Sequence, residues 1–364
     1  MNFISLFSGG GGADIGVMMA GYTPVAANEY DPAIAAVYAE NIGDHIRVGD
    51  ILTQDPHDYP ACDLLHASPP CPNFSVAKAG AKETAHDIAL AEKVAEFIRV
   101  LAPRSVTIEN VSAYRKSKSY RIILRAIEDR GYMYDAAILN SADYGVPQIR
   151  RRLILRAVRG LLRPMPEPTK WIGWYEVIKD LIDTLPESKF ADWQLKRLPE
   201  SFIIGNSTRS NTRLMSEPVE TITGNSNQIG IKAFITDARN GRFEGGKMTI
   251  LSQELPSFSV IASNNPNRYR AFLMPNANSS SGVNRSGDKT APTVGNVNRV
   301  GNQPRAWLDS GRVVKMTPRA LARFQSFPDW YKLPEKISLA CKIIGNACPP
   351  LMYEVVARSL TEAA

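Results

Sequence analysis

"NFISLFSGGGGADIGVMMAG", residues 2–21, is a short apolar run, a glycine-rich turn and a helical pattern in direct succession. "NFISLF" predicts a strand. "GADIGVMMAG" carries apolar residues at helical spacing, and Gly21 ends it. A glycine turn between such elements lets a ligand approach the backbone closely, at the N-terminal end of the helix. The dinucleotide spacing G-x-G-x-x-G does not fit, because starting from Gly9 it needs a glycine where Asp14 stands.

The same alternation continues to about residue 157. "TPVAANE" predicts a second strand, and "DPAIAAVYAEN" a helix with Asp31 as N-cap and Pro32 in its first position. "CDLLHAS" and "SVTIENV" read as strands, "IALAEKVAEFIRVLA" and "SYRIILRAIEDRG" as helices, and "YDAAILNSADYG" with "RRLILRAV" as a closing strand pair. The pattern predicts an α/β, doubly wound, mostly parallel sheet. Ligands bind such sheets beyond the carboxyl ends of the strands, so chemistry belongs just after them. Beyond Ala157 the texture changes. "RPMPEPTKW" is a proline-rich connection, and "WYEVIKDLIDTLP" and "DWQLKRL" are expected helices. From Gly205 to Ala306 the chain is rich in Asn, Ser, Gly and Arg, with 12 Lys+Arg against 6 Asp+Glu. Short β-like runs there ("VETITG", "KAFITDA", "FSVIAS") predict a smaller, loop-rich β domain inserted before the chain returns to the sheet. "KMTPRALARFQSFPDWY" reads as a helix capped by Thr317, and "GNACPPLMYEVVARSL" as a strand-turn-helix unit. The expected boundaries are 1–200, 201–311 and 312–364.

The totals narrow the class. The chain has 364 residues, a 44% hydrophobic and 22% charged composition, and a net charge of +7. That balance suits a globular protein and leans toward a polyanionic partner. No apolar run reaches the length of a membrane span, and the N-terminus lacks a signal-peptide pattern, so a cytoplasmic protein is expected. The four cysteines form no C-x-x-C pair, and with four scattered histidines no metal site is expected.

Three groups carry the candidate chemistry. The glycine turn is followed by Glu29 and Asp50 at the ends of the next two apolar stretches. One set of readings is a tight turn with two surface carboxylates; the other is a site for a nucleoside-containing cofactor without a pyrophosphate, with Glu29 on ribose hydroxyls. Cys71, in "ASPPCPNFS", follows two prolines that stiffen the turn. It is either a small buried hydrophobe or a nucleophile whose thiolate a nearby cation would favour, with Arg150 and Arg152 as candidates. Glu109 ends the strand "SVTI", on the same rim. A nucleophile and an acid that converge there suit addition to a polarised ring.

The ordered set Phe7-x-Gly9-x-Gly11-Gly12, Glu29, Asp50, Pro69-Pro70-Cys71, Glu109-Asn110-Val111, Gln148-x-Arg150-x-Arg152, "TPRALARFQSFPD" and "GNACPP" resembles the cytosine-C5 DNA methyltransferases of bacterial type. The resemblance spans the chain outside residues 158–310. It implies a Rossmann-like methyltransferase sheet with an inserted target-recognition domain, acting on double-stranded DNA. It implies S-adenosyl-L-methionine as cofactor and S-adenosyl-L-homocysteine as product. The matching cofactor contacts are Phe7, Gly9, Gly11, Glu29, Asp50 and Asn346, with further contacts from Ile51, Leu90 and Cys348. Cys71 would add to C6 of a flipped cytosine, and Glu109 would hydrogen-bond N3 and the exocyclic amine. Arg152 would contact the base near O2, Arg150 would assist the catalytic loop, and Pro70, Asn110 and Gln148 would border the substrate. A bacterial or phage-encoded monomer with a separately acting restriction endonuclease completes the expectation.

The chain departs from the family pattern at four places. Ser5 stands where an aspartate is common, Pro72 where glutamine is usual, Asp87 near a usual arginine, and Ala320 where glutamate is frequent. Two other readings stay open on the sequence: methylation of tRNA cytosine, against which the basic insertion argues, and a silent DNA-binding relative, against which Cys71, Glu109 and Arg152 argue. The Asn and Arg pairs of the insertion suit base and phosphate contacts, or are simply turns.

Overall fold

A computed structural model describes residues 1–70, 82–174, 176–187, 202–203, 213–214, 232–237, 250–252, 256, 269–274 and 312–361. The chain forms two compact units. One holds Met1–Ile172 and Leu321–Ala364, the other Gly173–Ser257 and Asn265–Ala320.

The first unit is built on a seven-stranded sheet. Its strands are β1 (Asn2–Leu6), β2 (Thr23–Glu29), β3 (Ile46–Val48), β4 (Leu64–Ala67), β5 (Ser105–Asn110), β6 (Met133–Asn140) and β7 (Arg151–Val158), in the order β3-β2-β1-β4-β5-β7-β6. Pairing is parallel from β3 to β5 and antiparallel at β5–β7 and β7–β6. The strand order reverses between β1 and β4, the point at which an open sheet of this kind leaves a crevice. The glycine turn leaves β1 there, and the Pro69-Pro70 turn leaves β4.

Alternate residues of the central strands feed two cores. Leu65, Ala67, Val106 and Ile108 pack under α3 (Ala85–Leu101) and α4 (Lys118–Asp129). Phe3, Leu64, Ile154 and Val158 pack under α1 (Gly12–Met19) and a C-terminal helix, Pro350–Arg358. Near-complete burial of both strand faces explains why these segments read as continuous apolar runs rather than alternating ones. Helix α2 (Pro32–Asn41) starts as its sequence predicts, with the Asp31 side chain accepting the Ala33 N–H at 2.9 Å. Helix α5 (Pro318–Phe324) follows Thr317, whose hydroxyl accepts the Ala320 N–H at 3.3 Å.

Two local expectations change. The strand expected at the start of "GNACPPLMYEVVARSL" is absent: Gly345 and Asn346 end a helix, α6 (Ile337–Asn346), which is followed by α7 (Pro350–Arg358). Buried Ala340, Ile343 and Ile344 lie three and four apart, a helical spacing that outweighs the apolar run. The expected helix over "WYEVIKDLIDTLP" is not formed across 176–185, a string of turns with a 3-10 turn at Ile182–Thr184; Tyr175 lies outside the described residues. Pro186 limits it at one end and the proline-rich connection at the other.

In the second unit, β10 (Lys232–Asp237), β11 (Ile250–Ser252), β12 (Tyr269–Met274) and β13 (Arg312–Lys315) form an antiparallel sheet in the order β11-β10-β12-β13. β8 (Phe202–Ile203) and β9 (Arg213–Leu214) form a separate ribbon. "KAFITDA" is thus a strand as expected. "DWQLKRL", "VETITG" and "FSVIAS" lie outside the described residues. No helix among the described residues is long and apolar enough to cross a membrane.

Candidate active site

The glycine turn is shaped from both sides. Phe7, Gly9 and Gly11 all take positive φ, at 58°, 55° and 83°. Phe7 is the unusual one, since a side chain at that φ is strained; it sits where β1 gives way to the turn, with its carbonyl accepting from the Ser68 hydroxyl at 3.2 Å. Gly10, Gly11 and Gly12 are hemmed in. A Cβ on Gly10 would lie 2.4 Å from Ile343, on Gly11 2.0 Å from Ile42, and on Gly12 2.6 Å from the Cys348 carbonyl oxygen. Around Gly9 there is open space instead. The turn is therefore packed on its inner side and accessible at Gly9, where a ligand can meet bare backbone.

Glu29, at the end of β2, accepts the Gly9 N–H at 3.0 Å through Oε2 and the Asp31 N–H at 2.9 Å through Oε1. Burial pushes its carboxyl up, against those two donors and Lys342. Asp50 follows β3 and accepts the Leu52 N–H at 3.0 Å, capping the 3-10 turn Ile51–Thr53. Ile51 and Leu90 belong to the core beneath these turns. Asn346 ends α6 and is exposed, while Cys348 is buried in the second core. Burial raises the Cys348 thiol well above its usual range, with Glu109 adding to it. The C-terminal segment closes on the turn: the Tyr331 hydroxyl donates to the Gly10 carbonyl at 2.6 Å, and Lys342 pairs with Asp31 at 2.8 Å.

At the next strand ends a second set assembles. Glu109 is 7% exposed at the end of β5, and the Arg152 Nε lies 2.9 Å from its Oε1. Burial raises the Glu109 carboxyl, and Arg152 and then Arg150 oppose the rise. Asn110 donates from Nδ2 to the Pro69 carbonyl at 3.1 Å, which fixes the entrance to the turn carrying Pro70. Arg150 is 2% exposed and donates to the Gly345 carbonyl at 3.1 Å, joining β7's approach to the end of α6. Gln148 is fully buried; its carbonyl accepts from the Ser141 hydroxyl at 2.7 Å. Cys71 lies outside the described residues, and with it Pro72.

Several residues at this site carry no clear signal in the sequence. Asp14, Tyr38 and Tyr331 support the glycine turn from beneath, and Ser5 donates to Asp14 Oδ1 at 2.7 Å. His66, Thr107 and Tyr353 form a buried polar cluster under β4 and β5. Asp14 leaves a trace as the acid standing where a dinucleotide motif needs glycine, and Ser5 as a departure from the family pattern.

Comparison with known proteins bears on the chain as a whole. A family model described as C-5 cytosine-specific DNA methylase matches residues 1–362. The type II methyltransferase M.NgoFVII of Neisseria gonorrhoeae is 27% identical over 372 residues, covering 98% of this chain and 85% of that protein. The type II methyltransferase M.FnuDI of Fusobacterium nucleatum is 26% identical over 372 residues, covering 100% and 94%. Among solved structures, the Entamoeba histolytica methyltransferase EhMeth aligns with a TM-score of 0.63 at 13% identity, covering 99% of this chain and 97% of that one. The structural likeness speaks for the fold, and the sequence match runs the length of the chain. The chain belongs to the C-5 cytosine-specific DNA methylase family.

Proposed function

We propose that this chain methylates C5 of a cytosine extruded from double-stranded DNA, with S-adenosyl-L-methionine as donor and S-adenosyl-L-homocysteine as product. The observation that carries the residue assignment is the pair of buried Glu109 with half-buried Arg152 beside Asn110, whose amide holds the Pro69 carbonyl two residues before Cys71.

The donor site is supported by the open space at Gly9, by Glu29 presented through two backbone N–H groups, and by Asp50 at the next strand end. Phe7, Gly9 and Gly11 would border the donor with Glu29 on its ribose; Ile51, Leu90, Asn346 and Cys348 complete the proposed contacts. The bound donor supplies an electrophilic methyl on a sulfonium. Cytosine C5 is a poor nucleophile, and the chain's own residues change that. Cys71, as thiolate, adds to C6 and the S–C6 bond forms. Glu109 donates a proton to N3, so the electron pair displaced from C6 makes C5 enamine-like. Its burial favours the protonated carboxyl this step needs, and Arg152 holds the carboxyl in place and steadies it once ionised. After C5 is methylated, a base removes the C5 proton, the S–C6 bond breaks, and the N3 proton returns to Glu109. Pro70, Asn110 and Gln148 border the base, and Arg150 ties the approach to β7 against α6.

Residues 1–200 and 312–364 form the proposed donor-binding domain, and 201–311 the part that reads DNA. The chain is further proposed to be a cytoplasmic monomer beside a separately acting restriction endonuclease. The test is transfer of labelled methyl to duplex DNA. Cys71→Ala is expected to abolish transfer, and Glu109→Gln to lower kcat at least a hundredfold with donor affinity retained. Transfer to tRNA alone would favour the RNA reading. DNA binding without covalent trapping on 5-fluorocytosine DNA would favour a silent relative.

A further inference from the structure

Asp14 is a buried ionisable group that the mechanism above does not use. Asp14, in the first turn of α1, has no solvent exposure. Its Oδ1 accepts from the Ser5 hydroxyl at 2.7 Å and its Oδ2 from the Tyr38 hydroxyl at 2.7 Å. The Tyr38 hydroxyl is also 3.0 Å from the His45 Nε2. Both of Asp14's side-chain partners are hydroxyls, and no cation pairs with it among the described residues. A buried carboxylate without a cationic partner is costly, and groups perturbed in this way cluster at functional sites. It sits directly behind the glycine turn, three residues after Gly11.

The two ligands proposed for that turn differ in one respect that such a charge reads. The donor carries a sulfonium cation; the product is a neutral thioether. Their ammonium, carboxylate and adenosine parts are the same. The α1 N-terminus presents partial positive charge to the turn, which opposes a cationic ligand. A carboxylate in the first turn reverses that field.

We propose that Asp14 supplies, from behind the glycine turn, a negative charge that shifts this site's relative affinity toward the cationic sulfonium donor and away from its neutral thioether product. The inference rests on the reading of the turn as the donor site. It assigns Asp14 a role in specificity, without contact with the reacting atoms.

The surrounding groups allow the charge to be tested by pH. Ser5 on β1 and Tyr38 on α2 bond the carboxylate; Tyr331, after α5, and Tyr353, on α7, lie within its field. Burial pushes the Asp14 carboxyl up to about 6, and the two hydroxyls pull against it. The tyrosines stay neutral across pH 5–8, since burial raises every one. Burial lowers His45 and Asp44 opposes that; a protonated His45 at low pH would weaken the field in the same direction as a protonated Asp14. Glu29, on Gly9, is the other carboxylate at the turn, and Lys342 faces it.

The experiment is calorimetric binding of S-adenosyl-L-methionine and S-adenosyl-L-homocysteine to the full chain, from pH 5 to 8. The ratio of the two affinities cancels their shared groups. In the unaltered chain, preference for the donor is expected to rise about three- to tenfold as pH rises through about 6, the effect of one nearby unit charge at intermediate dielectric. Asp14→Asn should flatten that dependence at its low-pH level. Tyr38→Phe, which keeps the carboxylate and removes one donor, should move the midpoint to higher pH. The unaltered chain and Tyr38→Phe carry the test if Asp14→Asn does not fold. A pH-independent ratio in the unaltered chain would overturn the inference alone, as would equal loss of both ligands in Asp14→Asn. Failure of the unaltered chain to bind either ligand would overturn the donor reading and this inference with it.

Discussion

Gly9 and Gly11 share a left-handed backbone but not a reason for being glycine. At Gly11 a side chain would meet Ile42 and Tyr38, at 2.0 and 3.2 Å, on top of a φ of 83°. Gly11→Ala is expected to destabilise the fold by about 2 kcal/mol, read as a lowered thermal midpoint. At Gly9 the added methyl meets nothing, so Gly9→Ala should cost about 1 kcal/mol of stability. It should nonetheless lower donor affinity tenfold or more, because it fills the approach to the backbone. Calorimetry on the two variants separates the effects; unchanged affinity in Gly9→Ala would remove the turn from the donor site. The turn itself is legible in the sequence, as are Glu29, Asp50 and Glu109 at strand ends. The partner of Arg152 is not. As a neighbour of the thiol or of Glu109 it reads identically in sequence, and the 2.9 Å pair with Glu109 depends on β7 running antiparallel to β5.

Helix α4 shows how one element can carry two kinds of information. Its start is fixed from a distance: Glu83 accepts the Lys118 and Ser119 N–H groups at 2.9 and 2.7 Å, satisfying donors that helix geometry leaves unpaired. Its outer face, with the preceding 3-10 turn, exposes Arg115, Lys116, Lys118, Arg121 and Arg125, and no carboxylate pairs with their side chains among the described residues. Such cations, on the element that follows Glu109 and Asn110, suit phosphate binding. Replacing Lys116 and Lys118 with Gln should lower the slope of log affinity against log salt for duplex DNA by about 0.9 for each phosphate no longer neutralised, with little change in sequence preference. An unchanged slope would place the DNA elsewhere. Helix α4's existence is plain from apolar spacing, and its N-cap is local, the Ser117 hydroxyl accepting the Tyr120 N–H at 2.9 Å; the Glu83 contact is not legible, since Glu83 lies 35 residues before Lys118. The helix that leads into "GNACPP" is hidden for a different reason: a short apolar run does not distinguish a buried helix from a strand.

Stability should depend on pH through groups buried beneath the strand ends. His66 is fully buried, with Nδ1 beside the Tyr353 and Thr107 hydroxyls at 2.6 and 3.1 Å, and burial lowers its ring to about 3. The unfolded chain therefore binds a proton that the folded chain refuses, from pH 6.5 down to about 3. Stability is lost as pH falls through that window, by about 2 kcal/mol between pH 6.5 and 5. Asp14 acts in the opposite sense, since its raised carboxyl binds a proton more readily in the fold between 3.8 and about 6. His66→Gln should keep Asp14's contribution and remove the histidine's, giving a thermal midpoint that falls less on acidification. An unchanged pH dependence would show that His66 is protonated in the fold.

The alternation of strands and helices, the glycine turn and the rim carboxylates were settled by residue order, because backbone propensity, chain polarity and apolar spacing are local. The reaction class was legible because its motifs recur in fixed order along the chain. The partners were settled in three dimensions. Ser5 and Tyr38 on Asp14, Arg152 on Glu109, Tyr331 on Gly10 and Tyr353 on His66 join residues from 9 to 321 positions apart. A buried charge takes whatever group the packing brings to it, and that depends on which strands and helices become neighbours.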